Sequence, residues 1–225
     1  MHGERRSVFI TGGSGYLGRP LISMLLERGH DVRALVRQGS ERKLPPGCTP
    51  VFGDALDASS YAAQIPPSDT FVQLVGVAHP SPSKGAEFRR IDFASASGAI
   101  KAASESGVRH FVYLSVAHPA PMMKTYIEVR AECEALLRAT GMNATVVRPW
   151  YVLGPGHRWP YAIIPMYWLF SLLPPTREGA RRLGLVTLKQ MTNTLANAVD
   201  NPCVGIRVVG VPEIREGGAI AAATA

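Results

Sequence analysis

Val8-Phe9-Ile10-Thr11-Gly12-Gly13-Ser14-Gly15-Tyr16-Leu17-Gly18 is an apolar strand that runs directly into a glycine-rich turn and opens a helix. Gly12 permits the tight turn, Gly15 lets the backbone approach a pyrophosphate, and Gly18 lets the helix pack closely on the strand. The free amides at the helix N-terminus face the phosphates, where the helix dipole favours negative charge. A glycine triplet alone also punctuates ordinary loops, so the context has to decide. Leu17, Leu21, Met24 and Leu25 recur at helical spacing, Gly29 stops the helix, and 30–36 reads as a second strand. Ser14, Tyr16 and Leu17 join the three glycines as expected cofactor contacts.

Working outward, strand-like and helix-like segments alternate as far as residue 148. Strands are expected at 6–11, 31–36, 49–53, 70–76, 109–115 and 143–148, and helices at 15–28, 57–64, 85–106 and 121–140. Such alternation specifies an α/β fold, a Rossmann doubly wound parallel sheet with helices on both faces. Ligands in that fold lie beyond the carboxyl ends of the strands, so Val75 and Gly76 after the fourth strand join the candidates. Past Arg148-Pro149 the pattern breaks. Gly154-Pro155-Gly156 forms a turn, an aromatic-apolar run spans 159–173, a short strand and helix occupy 185–200, and 205–211 reads as a closing strand. The expected organisation is a binding body over 1–156, a small, largely helical C-terminal segment over 157–215 completing the same domain, and a disordered tail over 216–225.

The chain has 225 residues and a formal net charge of +7, but its 24 Lys and Arg are scattered. A phosphate-rich cofactor accounts for such a field without nucleic acid. Cys48, Cys133 and Cys203 are odd in number and far apart, giving neither a disulfide framework nor a zinc spacing. A reducing, cytoplasmic setting follows. No signal-peptide apolar region precedes the first strand. The 159–173 run is too short and too interrupted by proline to span a bilayer. It is expected to pack in the core or in a homodimer contact, with a lid over an apolar substrate or a membrane-surface contact as the other readings.

At the end of the second strand, where an acid would grip the ribose hydroxyls of NAD, stands Arg37, followed by Arg42 and Lys43. A guanidinium there can pair with a 2′-phosphate, which favours NADP over NAD. Two roles are open to Asp54 in Gly53-Asp54-Ala55-Leu56-Asp57: a hydrogen bond to the adenine edge or a cap on the next helix.

The TGGSGYLG fingerprint, the GDALD stretch, Ser115 at a strand end, Tyr126 and Arg130 on one helix, and Arg148-Pro149 leading to Gly154-Pro155-Gly156 together resemble the short-chain dehydrogenase/reductase superfamily. The similarity is to its extended or atypical branch, including epimerase/dehydratase-like members, NmrA-like regulators and the accessory subunit of complex I. It implies a Rossmann fold, a nicotinamide cofactor touched by Pro149, and a Tyr-Lys pair four residues apart whose Tyr moves a proton while Lys holds the nicotinamide ribose. Here the pair reads Tyr126 and Arg130, a retained cation of changed shape that could still favour a tyrosinate. Ser115 corresponds to a substrate-polarising serine or simply finishes the strand. Val-Ala-His-Pro occurs at 77–80 and again at 116–119, so His79 and His118 open onto one cleft if their strands are neighbours. The expected function is NADP-dependent reduction or oxidation of a small, fairly apolar carbonyl or related substrate. The rival is an NAD(P)H-binding sensor or assembly protein without turnover, which the Arg in place of Lys supports.

Overall fold

The computed structural model describes residues 4–78, 80–120, 122–154 and 183–217. Its strands are β1 (Ser7–Thr11), β2 (Asp31–Val36), β3 (Thr49–Phe52), β4 (Thr70–Gln73), β5 (His110–Leu114), β6 (Asn143–Val147), β7 (Tyr151–Leu153), β8 (Leu185–Thr187) and β9 (Ile206–Val209). Seven of them form one parallel sheet in the order β3-β2-β1-β4-β5-β6-β9, while β7 and β8 pair separately. The chain starts in the middle, winds outward through β2 and β3, then crosses back to β4. The gap this reversal leaves between the loops after β1 and β4 is where a doubly wound sheet receives its ligand.

Both faces of the sheet are covered, so the central strands are apolar at successive positions rather than alternating. On one face Phe9, Phe71 and Phe111 stand in register across β1, β4 and β5. Their rings stack with centroids 5.3 and 5.2 Å apart. Ala96, Ala99 and Ala103 of the helix above them are small enough to bring its backbone down onto this aromatic row. On the other face Val8 and Ile10 meet Leu21, Ile22 and Leu25 of α1 (Gly18–Glu27). Gly29, at φ +86°, closes that helix while the His30 amide bonds back to Leu25.

Two expected helices take other forms. The 57–64 segment is two 3₁₀ turns, Ala58–Ser60 and Ala62–Gln64. Eight residues bounded by Pro66-Pro67 are too few to nucleate an α-helix, and burial of Tyr61 and Ile65 holds them instead. The 85–106 segment runs as α2 (Gly85–Glu87), a π-helical stretch Phe88–Phe93 and α3 (Ala94–Glu105). The wider π turn carries Asp92, completely buried. The 121–140 segment forms α4 (Lys124–Ala139). In the C-terminal part, α5 (Leu188–Asp200) begins with a Thr187/Gln190 capping box and α6 (Val211–Arg215) follows β9. β9 adds to β6 and so supplies an edge strand of the seven-stranded sheet. The 159–173 run and the end of the tail lie outside the described residues. Among the described residues no helix is long and apolar enough to cross a membrane.

Candidate active site

The turn after β1 depends on glycine at two of the three expected positions for distinct reasons. Gly12 has φ +75°, a region that L side chains avoid. A Cβ on Gly18 would overlap the Gly12 carbonyl and the backbone of Gly13. Gly15 is different: a Cβ there would meet only the Gly12 carbonyl, at 3.1 Å, and face open space otherwise. That opening is the cradle a pyrophosphate requires. Gly13 adds a constraint the fingerprint does not reveal, since its Cβ would press on Ala34 of β2 at 2.8 Å.

From this turn a cavity of about 300 Å³ extends over the carboxyl ends of β2 and β3. Gly12, Ser14, Arg37 and Asp54 give it a polar rim; Leu35, Val36, Ala55, Leu56, Val75 and Ile91 give it apolar walls. A flat purine fits such walls. Arg37 is exposed at the end of β2, and among the described residues no carboxylate pairs with it. The two roles open to Asp54 reduce to one local fact: its Oδ1 accepts the Leu56 amide at 3.0 Å in a turn, while Asp57 caps the 3₁₀ segment through the Ser59 amide.

A second cavity, about 390 Å³, lies at the ends of β4, β5 and β6. Tyr16, Leu17, Ser115, Tyr126 and Pro149 line it together with Val77, Ala78, Trp150, Tyr151 and Val152. Among the described residues the lining is aromatic and aliphatic apart from Ser115, and includes no charged residue. Tyr126 projects from the first turn of α4, its ring tilted against Phe88 at 4.9 Å. Burial pushes its phenol up, the nearby Asp92 adds to this, and Arg130 pulls the other way without prevailing. The ring therefore presents a protonated hydroxyl, where the sequence suggested that the cation could favour a tyrosinate.

Arg130 lines neither cavity. Its Nη1 donates to the Leu114 carbonyl at 2.6 Å and its Nη2 to Asp92 Oδ1 at 2.5 Å. Swinging it out to a ribose would break a buried ion pair at about 3–5 kcal/mol, against about 1.5–3 kcal/mol for one new charge-assisted bond. The sequence expected Arg130 as a cofactor clamp; the structure places its guanidinium on Asp92 and the Leu114 carbonyl. Gly76 is needed for the same reason, since a side chain there would overlap the guanidinium. The Ser115 hydroxyl is also engaged, donating to Glu134 Oε1 at 2.6 Å.

Asp92 and Glu134 escaped the sequence reading. Glu134 is 3% exposed and pairs through both oxygens with Arg148. Burial opposes its charge, but the bonds from Arg148 and Ser115 hold its carboxyl below the usual range. The available signal was an acid on the same face of the helix as Val129, Cys133 and Leu137, one turn beyond Arg130. β4 and β5 are neighbours, as the repeated Val-Ala-His-Pro required, but His79 lies outside the described residues. His118 stands 3.5 Å from Glu134 and does not line the cavity.

The sequence model of the NAD(P)H-binding family matches residues 12–159. The chain belongs to that family. Among curated relatives of this NAD(P)H-binding protein, ceramide reductase of Caulobacter vibrioides is 26% identical over 221 residues, covering 95% of this chain and 67% of that one. The 4-hydroxy-2-methyl-3-oxo-4-farnesyl-3,4-dihydroquinoline-1-oxide ketoreductase of Stigmatella aurantiaca is 27% identical over 168 residues, covering 65% of this chain and 50% of its own length. The chain thus spans half to two thirds of these two relatives. The Bordetella bronchiseptica enzyme WbmH, solved in complex with NAD+, shares the fold with a TM-score of 0.68 at 22% identity, over 95% of this chain and 80% of that one.

Proposed function

We propose that this chain is an NADP-dependent oxidoreductase that reduces a fairly apolar carbonyl, with Tyr126 as the proton donor. One observation carries the reading: a protonated phenol forms part of the wall of a cavity that is aromatic and uncharged among the described residues and that Tyr16 and Leu17 of the glycine turn also line. The dinucleotide would lie against Gly12, Ser14, Gly15 and Val75, with Arg37 facing the 2′ position of the adenosine ribose. When bound, the cofactor supplies the hydride. Tyr126 gives its proton to the carbonyl oxygen as negative charge develops there, which is the role of a general acid. The apolar walls exclude water and match a hydrophobic substrate. Two relatives point the same way by name, one a ceramide reductase and the other a ketoreductase named for a farnesylated 3-oxo compound. The three free cysteines suit a cytoplasmic setting, and residues 1–156 would form the binding body with 157–215 on the substrate side.

Two observations favour the rival, a binding protein without turnover. Ser115 already donates a hydrogen bond to Glu134, and Arg130 is paired with Asp92. Each is thus engaged away from the role the family resemblance implies, Ser115 toward a substrate carbonyl and Arg130 toward the nicotinamide ribose. NADPH oxidation followed at 340 nm against a panel of long-chain and aromatic ketones separates the two. Turnover supports the oxidoreductase; tight NADPH binding with no turnover on any ketone supports the sensor.

A further inference from the structure

The proposed proton donor is built against a charged pair that neither cavity reaches. Tyr126 and Arg130 are one helical turn apart on α4, and the guanidinium carbon lies 5.2 Å from the Tyr126 ring centroid. On its other side it lies 5.8 Å from the ring of Tyr113 on β5. Three elements converge on this cation. Leu114 contributes a carbonyl, the π-helical stretch contributes Asp92, and the Asp92 carboxylate also accepts the Val77 amide at 3.0 Å. The Arg130 and Asp92 side chains are 4% and 0% exposed. Gly76 leaves the slot beside them open, because any Cβ would overlap the guanidinium.

We propose that Asp92 and Arg130 are positioning residues for Tyr126: the pair fixes its ring at the wall of the second cavity, anchors the 76–77 loop between the two cavities, and makes no contact with the nicotinamide cofactor. The proposal rests on the reading of Tyr126 as proton donor and adds how that residue is held. Helical spacing alone would put Arg130 in the cleft beside Tyr126. The carboxylate behind it draws the planar fork inward, and an arginine flanked by two ring faces is held by cation–π attraction as well as by hydrogen bonds. The groups facing the guanidinium are Asp92 from the π-helical stretch, Tyr113 from β5 and Tyr126 from its own helix, with Cys133 of α4 facing Tyr113. Because the pair carries no net charge, it orients the phenol while exerting opposed fields on it. Arg130 favours ionisation and Asp92 opposes it.

The test uses the full chain with two readouts. NADPH binding is titrated by fluorescence in wild type, Arg130→Met, Asp92→Asn and the double variant, which removes both charges and so covers the case in which a single variant fails to fold. Ionisation of Tyr126 is followed at 295 nm in rapid alkaline pH jumps, isolated by subtracting the Tyr126→Phe signal. The expected result is an NADPH affinity within threefold of wild type in every folded variant, a Tyr126 midpoint raised by Arg130→Met and lowered by Asp92→Asn, and partial return toward wild type with Arg130→Lys. A purely structural pair would alter stability without moving the midpoint in opposite directions. A tenfold or greater loss of NADPH affinity in Arg130→Met or in the double variant, or a midpoint indifferent to all substitutions, overturns the proposal. A wild type that binds neither NADPH nor NADH would instead refute the functional reading, and the phenol measurement would still decide the role of the pair.

Discussion

The Tyr16 hydroxyl occupies the space into which a side chain at Gly154 would grow. One residue belongs to the phosphate turn after β1 and the other follows β7, so their contact joins the cofactor end of the cleft to the loop leading into the C-terminal segment. Gly154→Ala must displace Tyr16 from the second cavity or push the loop away. Overpacking of this kind costs about 1–3 kcal/mol. Thermal melts should show that loss for Gly154→Ala, and Tyr16→Phe in the same chain should recover part of it by removing the overlapping oxygen. A neutral Gly154→Ala would show that the contact is not tight.

Cofactor choice should rest on Arg37. It is exposed, unpaired among the described residues, and placed at the rim of the first cavity. A charge-assisted contact to a 2′-phosphate is worth about 1.5–3 kcal/mol, or about tenfold to over a hundredfold in affinity. NADPH should therefore bind more tightly than NADH, and Arg37→Ala should bring the two together. Equal affinities in wild type, or a preference that outlives the substitution, would remove Arg37 from the site.

Much of the cofactor half was legible because its signals are local. Gly12, Gly18 and Gly29 act within a few residues of the turns they permit, and Arg37 follows its strand directly. The other half was not, because it depends on partners distant in the chain. Ser115 meets Glu134 across 19 positions and Arg130 meets Asp92 across 38. Helical spacing placed Tyr126 and Arg130 on one face but could not say which way the guanidinium turns. That is decided by a carboxylate on a π turn, and a π turn has no periodicity to read. The β7/β8 pair was hidden similarly, its two short strands being separated by more than thirty residues of sequence.

Stability should fall in mild acid through His110. This side chain, at the start of β5, is 2% exposed, and burial, aided by Arg207 and Arg6, lowers its pKa to about 4. The unfolded chain takes up that proton near pH 6.5, so it binds more protons than the native state between these values. The contribution is thus complete above about pH 6.5 and is lost as pH falls toward 4, amounting to about 3 kcal/mol over the window. Urea unfolding at pH 7.5 and 4.5 should show a smaller pH effect in His110→Gln than in wild type. An identical pH effect in both would mean that His110 does not titrate in this way.

The oxidoreductase reading requires that Tyr126 move a proton. With a ketone that the wild type reduces, the rate of NADPH oxidation by Tyr126→Phe should fall about a hundredfold to ten-thousandfold, the worth of general acid catalysis. NADPH affinity and melting temperature should stay near wild type, because the ring and its contact with Phe88 are kept. Turnover that Tyr126→Phe leaves unchanged would contradict the assignment outright.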